Sequence, residues 1–284
     1  MAKTIGIRRE DKNEWERRVP LTPAHVKELK EKHGIHTIVQ PSPNRTFTDD
    51  QYKNAGAELN EDLGNADIVV AVKEIPTKLF EKDKTYIFFS HTIKGQSYNM
   101  PMLKHMMDLN CNLIDYERVV DESNRRLIFF GRYAGLAGMI ETLYAFGQKI
   151  KIQGFDTPLA KIKQAYEYSS LDEAKQHIEE IGEELHQQGI PHALCPLVVG
   201  FAGYGNVSRG AQEIFDLLPH KTISGHFLDE MYENFSGDDM YFYKVVFNEE
   251  DMVRPLEGYF EPQDYYKHPE KYVSRFENYL PYLS

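Results

Sequence analysis

Cys195-Pro-Leu-Val-Val-Gly-Phe-Ala202, running directly into Gly203-Tyr-Gly205-Asn-Val-Ser208-Arg-Gly210-Ala211, is the stretch on which the fold of this chain turns. The apolar run predicts a strand. The glycines predict a tight turn, and Ala211, Ile214, Phe215 and Leu218 at helical spacing predict the helix that follows. A strand that turns through glycines into a helix is the context a dinucleotide-binding fingerprint requires. Gly203 permits the turn, Gly205 lets the backbone approach a pyrophosphate, and the amides of Asn206, Val207 and Ser208 at the start of the helix attract negative charge. Ser208 stands where the third glycine is usual, and Gly210 is placed to share its packing role. A plain strand-to-helix turn is the competing reading. About 20 residues further on, an acid at the end of the next strand normally holds the ribose of NAD. Here that expected strand, 221–226, ends in Ser224, Gly225 and His226. A cation without a carboxylate tolerates a 2′-phosphate, which favours NADP over NAD.

Upstream, short apolar runs alternate with helical patterns. Thr4-Ile5-Gly6-Ile7 reads as a strand, and Thr22 is an N-cap for a helix with Pro23 in its first turn and Gly34 as its stop. Strands are expected at 37–39, 67–72, 85–89 and 111–114, with helices at 49–55 and 100–109. This rhythm implies a mostly parallel sheet covered on both faces. Leu136, Ile140, Leu143, Phe146 and Ile150 then mark one long helix, with Ala134, Gly135 and Gly138 as small residues for close packing. The fold class is therefore α/β, with two Rossmann-like parallel-sheet domains: 1–133 for substrate and 134–284 for the linking helix and the dinucleotide. After the glycine turn only 220–226 and 241–247 read as strands, against about six in a complete dinucleotide domain. The second domain thus reads as incomplete, which implies a homo-oligomer, a second polypeptide that finishes it, or a stand-alone homologue. The apolar run 194–202 is expected to stay exposed unless such a partner covers it.

Composition narrows the function classes. The 284 residues suit about two domains, and 44 acidic against 33 basic residues give a net charge of -11. With no basic cluster, nucleic acid is not an expected partner. No apolar run approaches the ~18 residues of a membrane span and no apolar leader opens the chain, so a cytoplasmic protein without membrane contact is expected. Cys111 and Cys195 lie in apolar runs without metal-ligand spacing, so buried reduced thiols are expected, with no disulfide and no metal site.

Three basic residues stand at the ends of expected elements: Arg18 before the first helix, Lys73 after strand 67–72 and His91 after strand 85–89. Ligands of open α/β sheets bind outside the carboxyl ends of the strands, so Lys73 and His91 are expected to face one cavity, with Arg18 forking a substrate carboxylate. The bland reading makes Lys73 a solvated lysine, His91 a loop histidine and Arg18 a surface partner of Glu14 or Glu16.

Taken together, Glu16-Arg-Arg18-Val-Pro-Leu-Thr-Pro23, Phe47-Thr-Asp-Asp-Gln-Tyr52, Ala55-Gly56-Ala57 and Ala66-Asp67-Ile-Val-Val-Ala-Val-Lys73-Glu74 resemble the amino-terminal domain of the alanine dehydrogenase and transhydrogenase superfamily. Four further stretches narrow the resemblance: Phe89-Ser-His91-Thr-Ile-Lys94, the run 125–139, Gly205-Asn-Val-Ser-Arg-Gly-Ala-Gln212 and the run 265–276. They are similar to lysine-ketoglutarate reductase, the lysine-forming saccharopine dehydrogenase. The resemblance implies condensation of lysine with 2-oxoglutarate and reduction by NAD(P)H to saccharopine, or the reverse oxidation, in lysine degradation. It implies Lys73 and His91 as the acid-base pair and Arg18 as the carboxylate anchor. Glu16, Glu74 and Glu117 are then the acids of the substrate site. An alanine dehydrogenase would share Arg18, Lys73 and His91, and a regulatory homologue would bind ligand without turnover.

Overall fold

The computed structural model describes residues 3–237 and 240–284. It divides into two compact units, one ending at Phe129 and the other beginning at Phe130.

The first unit contains β1 (Thr4–Ile7), α1 (Pro23–His33), β2 (His36–Val39), α2 (Asp49–Asn54), β3 (Glu58–Leu59), β4 (Ile68–Val70), β5 (Thr85–Phe88), α3 (Met100–Asp108) and β6 (Asn112–Asp115). The six strands form one sheet in the order β3-β2-β1-β4-β5-β6, with every pairing parallel. Alternation along the strands sorts the two faces. Ile7, Val39 and Val70 pack with Val26 of α1 and Tyr52 of α2. Ile38, Val69, Tyr86 and Phe88 pack on the other side with Met102 and Met106 of α3. Thr22 caps α1 by accepting from the His25 amide at 3.3 Å, and Gly34, at φ 62°, closes it. Because β2 and β4 flank β1 on opposite sides, the chain reverses its winding there, and the carboxyl ends of β1 and β4 border a crevice.

The second unit contains α4 (Gly131–Ile152), α5 (Leu171–Gln188), β7 (Val198–Ala202), α6 (Asn206–Phe215), β8 (His220–Ile223), α7 (Leu228–Glu233), β9 (Phe242–Phe247), α8 (Glu249–Met252), β10 (Val253–Pro255), α9 (Pro262–Lys267) and β11 (Tyr272–Ser274). Its core joins Leu136, Ile140 and Leu143 of α4, Ile178, Ile181 and Leu185 of α5, and Ile214 and Phe215 of α6. Helices α4 and α6 cross with backbones nearly touching. A Cβ on Gly135 would lie 1.9 Å from the Val207 carbonyl oxygen, and one on Gly210 would lie 2.1 Å from that of Arg132. Gly210 thus packs helix on helix rather than helix on strand, and Gly138 has nothing within 4 Å of a Cβ.

Several sequence expectations are corrected. The strand expected at 67–72 stops at Val70, because the amides of Val72 and Lys73 bond to the Glu10 carboxylate instead of a ladder. The run 194–202 is not an exposed face: Leu197, Val198 and Phe201 are buried. The outer edge of β7 is engaged by Ser284, whose amide donates to the Val198 oxygen at 3.0 Å and whose hydroxyl accepts from the Val198 amide at 3.1 Å. Cys111 and Cys195 are only partly buried, since each precedes its strand rather than lying within it, and neither forms a disulfide.

The main correction concerns strand order. The second sheet is parallel with the order β7-β9-β8, so β9 separates β8 from the glycine turn. β8 ends at Ile223, where Ser224 accepts from the His226 amide and starts a 3-10 turn. Ser224 and His226 therefore stand a full strand away from the position that a ribose or 2′-phosphate contact requires, which removes the premise for preferring NADP. Among the described residues, no helix is long and apolar enough to cross a membrane, and no group of three or more His, Cys, Asp or Glu side chains could hold a metal ion.

Candidate active site and nucleotide turn

In the first unit the loop leaving β1 supplies the acids Glu10 and Glu16 and the cations Arg8, Lys12 and Arg18. Glu10 reaches across to β4 and accepts from the Val72 amide at 2.6 Å and the Lys73 amide at 3.0 Å. Burial pushes its carboxyl upward, against the pull of those two amides and the nearby Arg8 charge. These bonds fix the backbone of Lys73 at the mouth of the crevice. Glu16 is buried and grips Arg18 with both oxygens, Nε to Oε1 at 2.7 Å and Nη2 to Oε2 at 2.6 Å. Burial alone would raise the Glu16 carboxyl; the hydrogen bonds and charge of Arg18, with the charge of Lys73, hold it below the ordinary carboxylate range. Arg18, Glu16 and Lys73 therefore form one electrostatic group.

Glu74, next to Lys73, bridges Lys12 and His91. It takes Lys12 Nζ at 2.6 Å on one oxygen and His91 Nδ1 at 2.7 Å on the other. Burial opposes its ionisation, but Lys12, a backbone amide and His91 hold its carboxyl down at about 2. An ionised carboxylate on Nδ1 requires that nitrogen to carry a proton, which leaves Nε2 of the neutral ring as the basic atom. The backbone of His91 is held in the left-handed region at φ 51°, an unusual conformation for a side chain of this size. Asn99 secures it by donating to the Ser90 oxygen at 3.0 Å, the Ser90 hydroxyl bonds Asp115, and Phe89 stacks on the imidazole at 6.3 Å and 19°. Behind Phe89 lies Tyr116, 5.0 Å between centroids, whose phenol burial and the Glu10 charge push up to about 12. A cavity of about 580 Å³ adjoins, lined in part by Asp11, Lys12, Glu74, Tyr98 and Asn99.

Of the residues expected from sequence, Arg18, Glu16, Lys73, Glu74 and His91 converge, and Glu117 is held by Arg126 at 3.3 Å. Glu10, Lys12 and Asn99 were not expected. The first two lie in the loop directly after β1, and their place at a reversal of winding is the signal that would have marked them.

In the second unit Gly203 takes φ 81°, and its amide donates to the Phe247 oxygen at 2.8 Å. Gly205 is the N-cap of α6, no side chain caps that end, and a Cβ on Gly205 would point into open space. Asn206 and Val207 are exposed and Ser208 is half-buried, its hydroxyl accepting from Gln212 at 3.0 Å. Glycine-rich backbone and uncapped amides thus make a cradle that fits a pyrophosphate. By contrast, His226 has a carboxylate neighbour, with Nε2 3.3 Å from Asp251.

Residues 6–137 match the family described as alanine dehydrogenase/PNT, N-terminal domain. The chain is 39% identical over 298 residues to an alpha-aminoadipic semialdehyde synthase of Arabidopsis thaliana, covering 99% of this chain and 28% of that protein. It is 34% identical over 143 residues to a lysine-forming, NAD(+) saccharopine dehydrogenase of Neurospora crassa, covering 49% of this chain and 38% of that one. The chain therefore spans well under half the length of these relatives. Among solved structures it is similar to an L-alanine dehydrogenase, with TM-score 0.53 and 22% identity over 86% of this chain and 61% of the other, a likeness of fold.

Proposed function

We propose that this chain, whose residues 6–137 form an alanine dehydrogenase/PNT N-terminal domain, carries the lysine-ketoglutarate reductase activity of lysine degradation, joining lysine and 2-oxoglutarate to give saccharopine. The observation that carries the proposal is the group in which His91 is clamped through Nδ1 by Glu74, the residue that directly follows the Glu10-anchored Lys73. Forming and collapsing a carbinolamine needs a base for the lysine amine and an acid for the departing water. The basic Nε2 of His91 takes the first proton. The Lys73 ammonium, kept beside the Glu16 carboxylate, supplies the second.

Arg18 anchors a 2-oxoglutarate carboxylate, and Glu16 fixes the plane of its guanidinium by two parallel bonds. Glu117 receives the distal ammonium of lysine. The nicotinamide cofactor, held by Gly203, Gly205 and the amides of Asn206, Val207 and Ser208, supplies the hydride when bound. The similarity to the synthase and saccharopine dehydrogenase over this region supports the substrate pair.

The test is oxidation of reduced nicotinamide by the full chain. Consumption should require lysine and 2-oxoglutarate together, and His91→Ala should lower it by about two to four orders of magnitude, the range for a general acid-base group. Turnover with pyruvate and ammonia in their place would assign an alanine dehydrogenase instead.

A further inference from the structure

The acid that holds an adenosine ribose works because it stands at the carboxyl end of the strand beside the glycine-turn strand. Adjacency matters, not distance along the chain. In this protein the neighbour of β7 is β9, with Ala202 paired to Phe247. Since the Gly203 amide also donates to the Phe247 oxygen, the chain leaving β9 passes against the glycine turn. Two residues later comes Glu249, half-buried. It accepts from the Tyr266 hydroxyl, the main influence holding its carboxyl below the ordinary range, and Tyr204 from the middle of the turn adds to that lowering. Tyr204 and Tyr266 are both exposed, which leaves two aromatic faces and one carboxylate beside the phosphate cradle. The histidine at this sheet's end, His226, lies beyond β9 and faces Asp251.

We infer that Glu249 accepts the 2′- and 3′-hydroxyls of the adenosine ribose, oriented by Tyr204 and Tyr266, and that it selects NAD(H) over NADP(H). Resting on the reading of the glycine turn as the cofactor site, this names the residue that decides which cofactor enters. A ribose diol donates two hydrogen bonds to a carboxylate. A 2′-phosphate removes one donor and places a dianion against the same oxygens.

The experiment is calorimetric titration of the full chain with NADH and with NADPH. NADH should bind at least about tenfold more tightly, a difference of roughly 1.4 kcal/mol. Glu249→Gln should bring the ratio to within about threefold, and Tyr266→Phe, which only unfixes the carboxylate, should fall between. Glu250→Gln removes the same charge from the exposed neighbouring residue and should leave the ratio within about twofold. Equal or tighter binding of NADPH to the unaltered chain overturns the inference, as does an equal shift from the two glutamate variants. Those outcomes leave the cofactor site standing, whereas failure of the unaltered chain to bind either nucleotide overturns the cofactor reading and this inference with it.

Discussion

Replacing Gly135 by alanine adds one methyl group where two helix backbones meet. Its Cβ would lie 1.9 Å from the Val207 carbonyl oxygen, 2.7 Å from the Ala211 nitrogen and 2.9 Å from the Val207 carbonyl carbon. An acceptable carbon-to-oxygen approach is about 3.3 Å, so α4 and α6 must separate by roughly 1.4 Å. Every obstructing atom is backbone and none can rotate aside. Sliding the helices gives no relief, since Gly210 makes the reciprocal contact with the Arg132 oxygen. Overpacking costs about 1–3 kcal/mol and this site belongs at the upper end. Alanine returns about 1 kcal/mol of helix propensity, for a net loss of about 2 kcal/mol. In a domain of about 150 residues that lowers the melting temperature by roughly 4–8 °C. Gly138→Ala is the matched control: same helix, exposed, nothing within 4 Å of the added carbon, and expected to stabilise by up to about 1 kcal/mol. Thermal melts of both variants by circular dichroism, with an NADH titration of each, make the assay. Because Val207 opens α6, Gly135→Ala should also weaken NADH binding. A Gly135→Ala protein that melts at or above the Gly138→Ala protein would refute the close-crossing argument.

Three further outcomes are expected. Glu74, depressed to about 2 by Lys12 and His91 despite its burial, stabilises the fold fully above its ordinary value of 4.5 and loses that contribution as pH falls from there toward about 2; urea midpoints of Glu74→Gln should decline less steeply across that window, and parallel declines would contradict the assignment. Lys73→Met should lower turnover with lysine and 2-oxoglutarate by about two orders of magnitude or more and remove one limb of the pH-rate profile; an unchanged profile would exclude Lys73 as an acid-base group. Gly205→Val fills the open space at the start of α6, so NADH affinity should collapse with helix content unchanged, and undiminished binding would disconnect the turn from the cofactor.

What the sequence made legible follows how local each signal is. The cap at Thr22, the stop at Gly34 and the turn at Gly203 to Gly205 depend on residues within one or two turns of chain, and the structure forms each one. Arg18, Lys73 and His91 stand out as candidates in the sequence because they sit at the ends of predicted elements, where an α/β sheet exposes side chains to ligand. The partners that give them chemistry were not readable, because those bonds span the sheet: Glu10 reaches Lys73 from β1's loop, and Lys12 and Glu74 meet over a separation of 62 residues. Strand order is the least local property of all, and here it carries the most consequence. Reading β8 as the neighbour of β7 placed Ser224 and His226 at the ribose and pointed to NADP; the observed order sets Glu249, just past the end of β9, beside the glycine turn instead. A pattern of strands along a chain gives their number and direction, while adjacency is decided by which faces bury best. In this unit β9 has Phe242, Tyr243, Lys244, Val245 and Phe247 all buried, a nearly continuous run that belongs to a strand covered on both faces and flanked on both edges. β8, with two of its four residues exposed and none fully buried, suits an edge. That contrast in apolar continuity was present in the sequence, and weighing it against the order of the chain would have put the carboxylate, rather than the histidine, beside the glycine turn.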